Sequence, residues 1–456
     1  MCQDLGKWLR IAGYDTVIIE TPLEDQKILQ MAKNQNRLLL TRDRQFLQLD
    51  PEKKIVIFLQ GESLNEWTRQ LKEEKQVDWL YKPFSRCLEC NTVLEKTKEP
   101  GDLPEKIKEN VKEFWTCPTC QQIFWLGSHV ERMRATLKNW QNELIIGLGG
   151  DLMIGRLVNT WLENHPPSSI WGDLSSVLSR MDLNIVNLET TLTNSQKIRP
   201  KVFNFKSHPK NVAVLKDGHI DAVNIANNHI LDFSEEGLLE TIQTLDAAKI
   251  AYVGAGKDIS QAQAPVILER NGITIGLLGC SDNEPYWKAE QNRPGINFIE
   301  IGNIEPLRDS ILQLRKQVDL VLLSIHWGPN MQRRPKPAFR AFAHDLIDLG
   351  VDILHGHSAH VFQGIEIYHQ KLILYDTGDL VDDYTVDPLL RNDLSFYFVI
   401  KAAKDKLLSL EIVPTIISEY QVNLFHQEES LNEMEKLCKE LGTHPIRKKD
   451  RLFFSL

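Results

Sequence analysis

Leu144-Ile145-Ile146-Gly147-Leu148-Gly149-Gly150-Asp151-Leu152-Met153 decides the fold. The apolar run Leu144–Leu148 predicts a buried strand. Asp151 follows it closely, at the carboxyl end where open α/β sheets place their ligands. Outward from this stretch the same arrangement recurs. Apolar strands are predicted at Asn184–Val186, Ala222–Ile225, Ile273–Leu278, Leu320–Ile325, Ile353–Leu354 and Leu372–Tyr375, with helices between most of them. Most are followed by a group able to hold a cation. These are Glu189 in Asn187-Leu188-Glu189, Asn228 in Ala226-Asn227-Asn228-His229, His326 in His326-Trp327-Gly328, and His357 and His360 in Gly356-His357-Ser358-Ala359-His360. Ligands repeatedly placed after strands converge on one rim of a layered sheet.

Asp151 and Glu189 offer anionic oxygens that hold or bridge divalent ions, Asn228 a neutral amide oxygen, and His326, His357 and His360 imidazole nitrogens. Two ions about 3.5–4 Å apart activate a bridging water and stabilise the attacking and leaving oxygens of a displacement. His229 is then placed to protonate the leaving group. Asp232 either orients His229 or caps the helix that starts near Glu235 and Glu236. Singly, a histidine after a strand is more often a hydrogen-bonded structural residue; five motifs in order carry the prediction. His355 reads as loop support, and Asn187 and Asn227 as residues that fix turns. Arg333 and Asp376 are the substrate-binding candidates. Against that, Arg333 with Arg334 reads equally as a solvated pair, and Asp376 with Asp379 as a support of the ligands. Asp382-Asp383 receives no role.

The chain has 456 residues, 42% of them hydrophobic, enough apolar surface for two or three domains. No uncharged apolar run reaches about 18–20 residues, and no basic segment followed by an apolar stretch opens the chain. These readings predict a cytoplasmic protein without a membrane segment. The net charge of −9 is uneven: residues 1–142 hold 22 basic and 21 acidic side chains, and the remainder 31 and 41. Phosphate backbones need clustered Lys and Arg, so this distribution argues against a continuous nucleic-acid track, and any RNA contact is expected to be local, through the first module.

Four of the seven cysteines form Cys87-x-x-Cys90 and Cys117-x-x-Cys120, with 26 residues between the pairs. Two such knuckles supply four thiolates for a structural Zn²⁺, which stabilises a loop-rich segment lacking much core. Redox pairs or disulfides are the competing readings, and neither a βαβ pattern nor an export signal accompanies them. Cys2, Cys280 and Cys438 read as free thiols. Before the first pair, Leu5–Ile11 is apolar at helical spacing, Thr16–Ile19 is a β-branched run, Asp25–Lys33 is amphipathic, and Arg37–Thr41 and Ile55–Leu59 read as strands, with a helix at Leu64–Lys72. This is a small α/β unit with a parallel sheet.

Lys7-Trp8-Leu9-Arg10-Ile11-Ala12-Gly13-Tyr14-Asp15-Thr16, Leu38-Leu39-Leu40-Thr41-Arg42-Asp43 and Trp125-Leu126-Gly127-Ser128-His129 resemble the PIN-like RNase domain at the C-terminus of the Mut-seven exonuclease family, over about residues 1–135. The resemblance implies clustered carboxylates that hold Mg²⁺ or Mn²⁺ for phosphodiester hydrolysis. By position Asp43, as catalytic residue and metal ligand, and Asp25 match the family's acidic residues. The family's opening strand and its Asp are missing, since Cys2-Gln3-Asp4 follows the first Met. The duller readings are a solvated turn aspartate for Asp43 and a first-turn helix carboxylate for Asp25.

The later motifs, together with Tyr252-Val253-Gly254-Ala255-Gly256, Ser324-Ile325, Val361-Phe362-Gln363-Gly364 and Tyr375-Asp376-Thr377-Gly378-Asp379, span about residues 143–390 in order. They resemble the calcineurin-like metallophosphoesterase superfamily, and more closely its CapA branch, associated with poly-γ-glutamate capsule synthesis. The resemblance implies a four-layer α/β sandwich binding Mn²⁺, Mg²⁺, Fe²⁺ or Zn²⁺, with Met153 where many phosphatases carry a His. The expected organisation is a truncated PIN-like domain at 1–84, a zinc ribbon at 85–135, a linker helix at 136–142, the CapA-type domain at 143–420 and a helical tail at 421–456, with a helix at Gln427–Leu441. The expected function is a metal-dependent hydrolase acting on a phosphoester or related anionic small molecule or polymer. The alternatives are an RNA-processing nuclease working through the first module and a non-catalytic factor in poly-γ-glutamate metabolism. Oligomeric state is not set by the sequence.

Overall fold

A computed structural model describes residues 3–19, 23–52, 54–98, 103, 111, 113–125, 127–425 and 428–456. Cys2, Leu126 and Gln427 lie outside the described residues. The chain divides into two compact units, Met1–Glu143 and Leu144–Leu456. Among the described residues no helix is long and apolar enough to cross a membrane.

In the first unit, Leu5, Leu9, Ile11 and Ala12 place one face of helix Gln3–Ala12 in a core shared with Trp67 and Leu71 of helix Leu64–Lys75. Ser63 and Glu66 form a reciprocal capping box at the start of the latter. Strands Leu39–Thr41 and Val56–Phe58 pair in parallel, as predicted, and form a two-stranded sheet among the described residues. Thr16–Ile19, the β-branched run, does not form a strand. At Thr16 side chains take both backbone groups: the amide donates to Asn91 Oδ1 at 3.1 Å, and the carbonyl accepts from Arg10 Nε at 2.9 Å. Ser128–Gln141 is one helix whose C-terminal half contains the stretch read as a linker. Leu137 and Trp140 seat it in the first unit's core, with Trp140 packed edge-on against Trp8 and Trp79 at 4.6 and 5.2 Å.

The second unit contains two large sheets. In the first, Leu144–Leu152, Leu183–Leu188, Ala222–Asn224 and Ala251–Val253 run parallel, and Leu394–Ala403, Lys406–Ser418 and Arg451–Ser455 continue it antiparallel from Leu144–Leu152. In the second, Ile273–Ser281, Leu320–His326, Ile353–His357 and Lys371–Leu374 are parallel. Alternation along each strand sorts the side chains. Leu144, Ile146 and Leu148 meet Ile275, Leu277 and Leu322 between the sheets. Ile145, Val186 and Val223 face Leu215, Leu238 and Ile242 on the outer side. Val321 and Leu323 likewise face Ile311, Phe342 and Leu346. The result is a helix, sheet, sheet, helix stack of four layers. The segment expected as a helical tail is mixed: helix Glu428–Glu440 is followed by strands Ile446–Lys448 and Arg451–Ser455, the latter paired onto Lys406–Ser418. Leu452 and Phe454, buried at period two, are the strand signal that its polarity hid.

Candidate metal centre

Asp151 is buried near the end of Leu144–Leu152, where Asp379 pairs with it from strand Asp379–Val381. Glu189 follows strand Leu183–Leu188 by one residue, Asn228 and His229 lie in the turn after Ala222–Asn224, and His326 and His357 end paired strands in register. Parallel strands bring residues of widely separated sequence number to one rim. Asp151, His326 and His357 form one group, and Asp151, Glu189 and His360 a second, with ligand atoms within 4.8 Å of one another in each. Asp151 belongs to both. Its Oδ1 lies 3.5 Å from His357 Nδ1 and 3.9 Å from His326 Nδ1, while its Oδ2 lies 3.6 Å from His360 Nδ1. Asn228 Oδ1 is 3.0 Å from His326 Nε2.

The donor chemistry fits divalent cations. Burial pushes His326 and His357 well below the ordinary imidazole value of 6.5, so both rings are neutral and offer lone pairs; their Nδ1 atoms are 3.0 Å apart. Both oxygens of Glu189 are buried with no hydrogen-bond partner, and Asp379 Oδ2 is in the same state. Burial, with Asp151 alongside, pushes both of these carboxyls well above their usual range. A buried charge without a partner is costly, and a cation removes that cost.

Further side chains fix the ligands. Asn187 Nδ2 donates to Asp151 Oδ1 at 2.7 Å, and Asn187 Oδ1 accepts from Asn224 and Asn227 at 3.0 and 3.2 Å. His357 Nε2 and His355 Nδ1 both reach Ser324 Oγ, and His355 Nε2 lies 3.0 Å from the Gly149 carbonyl. His360 Nδ1 is 2.9 Å from Asp379 Oδ1. Asn224 and Ser324 received no role in the sequence reading: Asn224 ends an apolar strand with no motif to mark it, and Ser324 lies within a matching string whose His326 drew the assignment.

His229 Nδ1 is 2.6 Å from Asp232 Oδ2, and its Nε2 is 3.7 Å from Glu189 Oε1. Asp232 does not cap the following helix, whose N-cap is Phe233. Met153 is fully buried. Asp376 faces backbone: its oxygens accept from the Ala359 amide at 2.7 Å and the Gly378 amide at 2.9 Å. Arg333 donates to the Phe362 and Leu390 carbonyls and stacks on Phe362, and Arg334 makes a two-pronged pair with Glu440. Both cations therefore already have partners.

In the first unit the four thiols meet, with Cys87 Sγ 3.6 Å from Cys120 Sγ and Cys90 Sγ 3.3 Å from Cys117 Sγ. The knuckles are equivalent. Cys87 and Cys117 donate backbone amides to the Thr92 and Gln122 carbonyls, and Asn91 and Gln121 turn back at φ 66° and 60°. Burial pushes the Cys87 thiol up to about 12, and a bound cation would offset that. Asp43 is exposed and accepts from the Gln45 amide at 2.9 Å, and Asp25 occupies the first turn of helix Asp25–Asn34. Among the described residues neither belongs to a group of three metal-capable side chains. The geometry that supports a cation at Asp151 is not reproduced at these two residues.

The bacterial capsule synthesis protein PGA_cap family profile matches residues 145–384, and the Mut7-C RNAse domain profile matches residues 1–137. A probable polyglutamine synthesis accessory protein of Mycobacterium tuberculosis is 33% identical over 302 residues, covering 62% of this chain and 80% of the relative. The PGA biosynthesis protein CapA of Bacillus subtilis is 30% identical over 238 residues, covering 51% and 62%. Among solved structures, a 5'-nucleotidase precursor from Thermus thermophilus is 12% identical, covering 62% of this chain and 54% of that one at a TM-score of 0.33.

Proposed function

We propose, for a chain that belongs to the bacterial capsule synthesis protein PGA_cap family and carries a Mut7-C RNAse domain over residues 1–137, that the second unit is a metal-dependent hydrolase of a phosphoester or related anionic substrate. Asp151, Asn228, His326 and His357 would hold one divalent ion, and Asp151, Glu189 and His360 a second. When bound, such a pair activates water and stabilises charge on the transferring group. The observation that carries this reading is Glu189, both of whose oxygens are buried and unpartnered beside Asp151 and His360.

The chain's own residues then do the following work. Asp232 accepts from His229 Nδ1, which fixes the tautomer and leaves Nε2 facing the cluster. Burial lowers the proton affinity of His229 and Asp232 raises it. An anionic substrate adds to the side of Asp232, so the ring becomes a proton donor to the leaving oxygen once substrate is present. Asn187 holds the orientation of Asp151, and Asp379 that of His360. In the first unit the four-cysteine group would hold a structural Zn²⁺.

The test is divalent-dependent turnover of phosphomonoesters and diesters by the full chain, with metal content measured alongside. Loss of turnover in His229→Ala with metal retained is expected, and a metal-loaded wild-type chain without turnover sinks the hydrolase reading. A second reading, a non-catalytic accessory factor in polyglutamate metabolism, is favoured by the names given to the relatives. It predicts anion binding without turnover. The first unit reads as a scaffold, because Asp43 is engaged as a turn residue.

A further inference from the structure

We propose that Lys201 is the residue through which the second unit recognises the anionic group of its substrate. The proposal rests on the hydrolase reading above and names a residue outside every motif singled out in the sequence. The Lys201 side chain is 20% exposed, so its charge is mostly withdrawn from water while still reaching it. It donates to the carbonyl of Asn228, lies 3.3 Å from Asp232 Oδ1 and 3.6 Å from Glu284 Oε1, and stands 5.0 Å over the Trp287 ring. Asn228 carries the candidate amide ligand and Asp232 orients His229. Lys201 is therefore anchored on both residues that flank the proposed proton donor.

An ammonium carries three donors. The Asn228 carbonyl accepts one of them, and a second faces Asp232 Oδ1 as an ion pair at 3.3 Å, an oxygen with no hydrogen-bond partner. Glu284 stands beyond hydrogen-bond range and holds the third as an ion pair, with its own side chain 32% exposed. A partly exposed pair of this kind is weak and exchangeable. One N–H is thus available to a substrate oxyanion, which displaces Glu284. The segment that carries Lys201 is itself fixed: the Arg199 amide donates to the Asp232 carbonyl at 2.8 Å, the Phe205 amide to Asp232 Oδ2 at 2.7 Å, and Ser234 Oγ to the Lys197 carbonyl at 2.8 Å. A donor held this way is pre-organised for its ligand. Its field already acts on Glu189, His229 and His326, at the centre itself. In a unit with an acidic excess, a placed cation is what admits an anion.

The ligand chemistry is an oxyanion, phosphoryl or carboxylate, and two probes separate these sources. The full chain is loaded with Mn²⁺, its metal content measured, and inorganic phosphate or succinate titrated calorimetrically into the wild type, Lys201→Met, Lys201→Arg and Glu284→Gln. Lys201→Met is expected to keep its metal and to bind the preferred probe roughly ten- to a hundredfold more weakly, the loss of one charge-assisted hydrogen bond. Lys201→Arg recovers most of the affinity, and Glu284→Gln, which frees the ammonium, tightens binding. Tighter binding of phosphate identifies a phosphoester substrate, and of succinate a carboxylate. Full metal with unchanged affinity in Lys201→Met overturns the proposal, as does metal loss shared by Lys201→Met and Lys201→Arg, which makes the residue structural. A wild-type second unit that retains no divalent ion overturns the hydrolase reading and this proposal with it, and the metal analysis tells the cases apart.

Discussion

At Asp232 one carboxylate oxygen accepts from both His229 Nδ1, at 2.6 Å, and the Phe205 amide, at 2.7 Å. Two donors fix the group, and the group fixes the imidazole. The sequence left Asp232 between orienting His229 and capping a helix; a spacing of three residues suits both, and only the backbone path past Phe233 separates them. Asp232→Asn keeps the shape but removes the carboxylate charge beside His229, and its NH2 group either displaces the oxygen that receives both hydrogen bonds or points at the Lys201 ammonium. Turnover is expected to fall roughly 10–100-fold with metal content unchanged; wild-type turnover in this variant would show that His229 does not depend on its partner. Asn187 is the other residue whose role changed on folding. Read as a turn former, it bonds Asp151 directly and accepts from Asn224 and Asn227, so it sets the orientation of the shared ligand.

At the scale of elements, the centre depends on how closely strand Leu144–Leu152 approaches the segment before Asp379–Val381. A Cβ on Gly150 would lie 1.7 Å from the Gly378 carbonyl oxygen, while the Asp151 amide donates to that same oxygen at 3.0 Å. Backbone meets backbone there, and no side-chain rotation relieves the clash. Gly150→Ala therefore forces the two segments apart beside Asp151. We expect a loss of about 1–3 kcal/mol in urea unfolding, together with reduced metal content. Unchanged unfolding and full metal would refute the claim that this approach positions Asp151. The glycine pair was legible as the end of a strand, but the partner it makes room for comes from more than 200 positions later in the chain.

At the scale of the whole molecule, two units carry two kinds of side-chain group that could hold a cation, and each is tied to its own core. In the first unit, Arg10, 5% exposed, donates to the carbonyls of Leu88 and Glu89 in the first knuckle, and Arg86 reaches the Gly13 carbonyl at 3.1 Å. The knuckle is thereby stitched to the end of helix Gln3–Ala12. Replacing Cys87 and Cys117 by Ser is expected to remove one metal per chain and to lower the first unit's calorimetric transition, leaving that of the second unit in place. A single transition that shifts as one would contradict this separation. The order of motifs, the strand at each and the two cysteine knuckles were readable from the sequence, because hydrophobic period and ligand chemistry are local properties. The chain alone could not give the sharing of Asp151 between two groups, the engagement of Asp376 and Arg333 by backbone, or the place of Lys201 beside Asn228 and Asp232. Those depend on which strand ends become neighbours and on which polar atoms burial leaves without a partner, and both are settled only when the sheets pack.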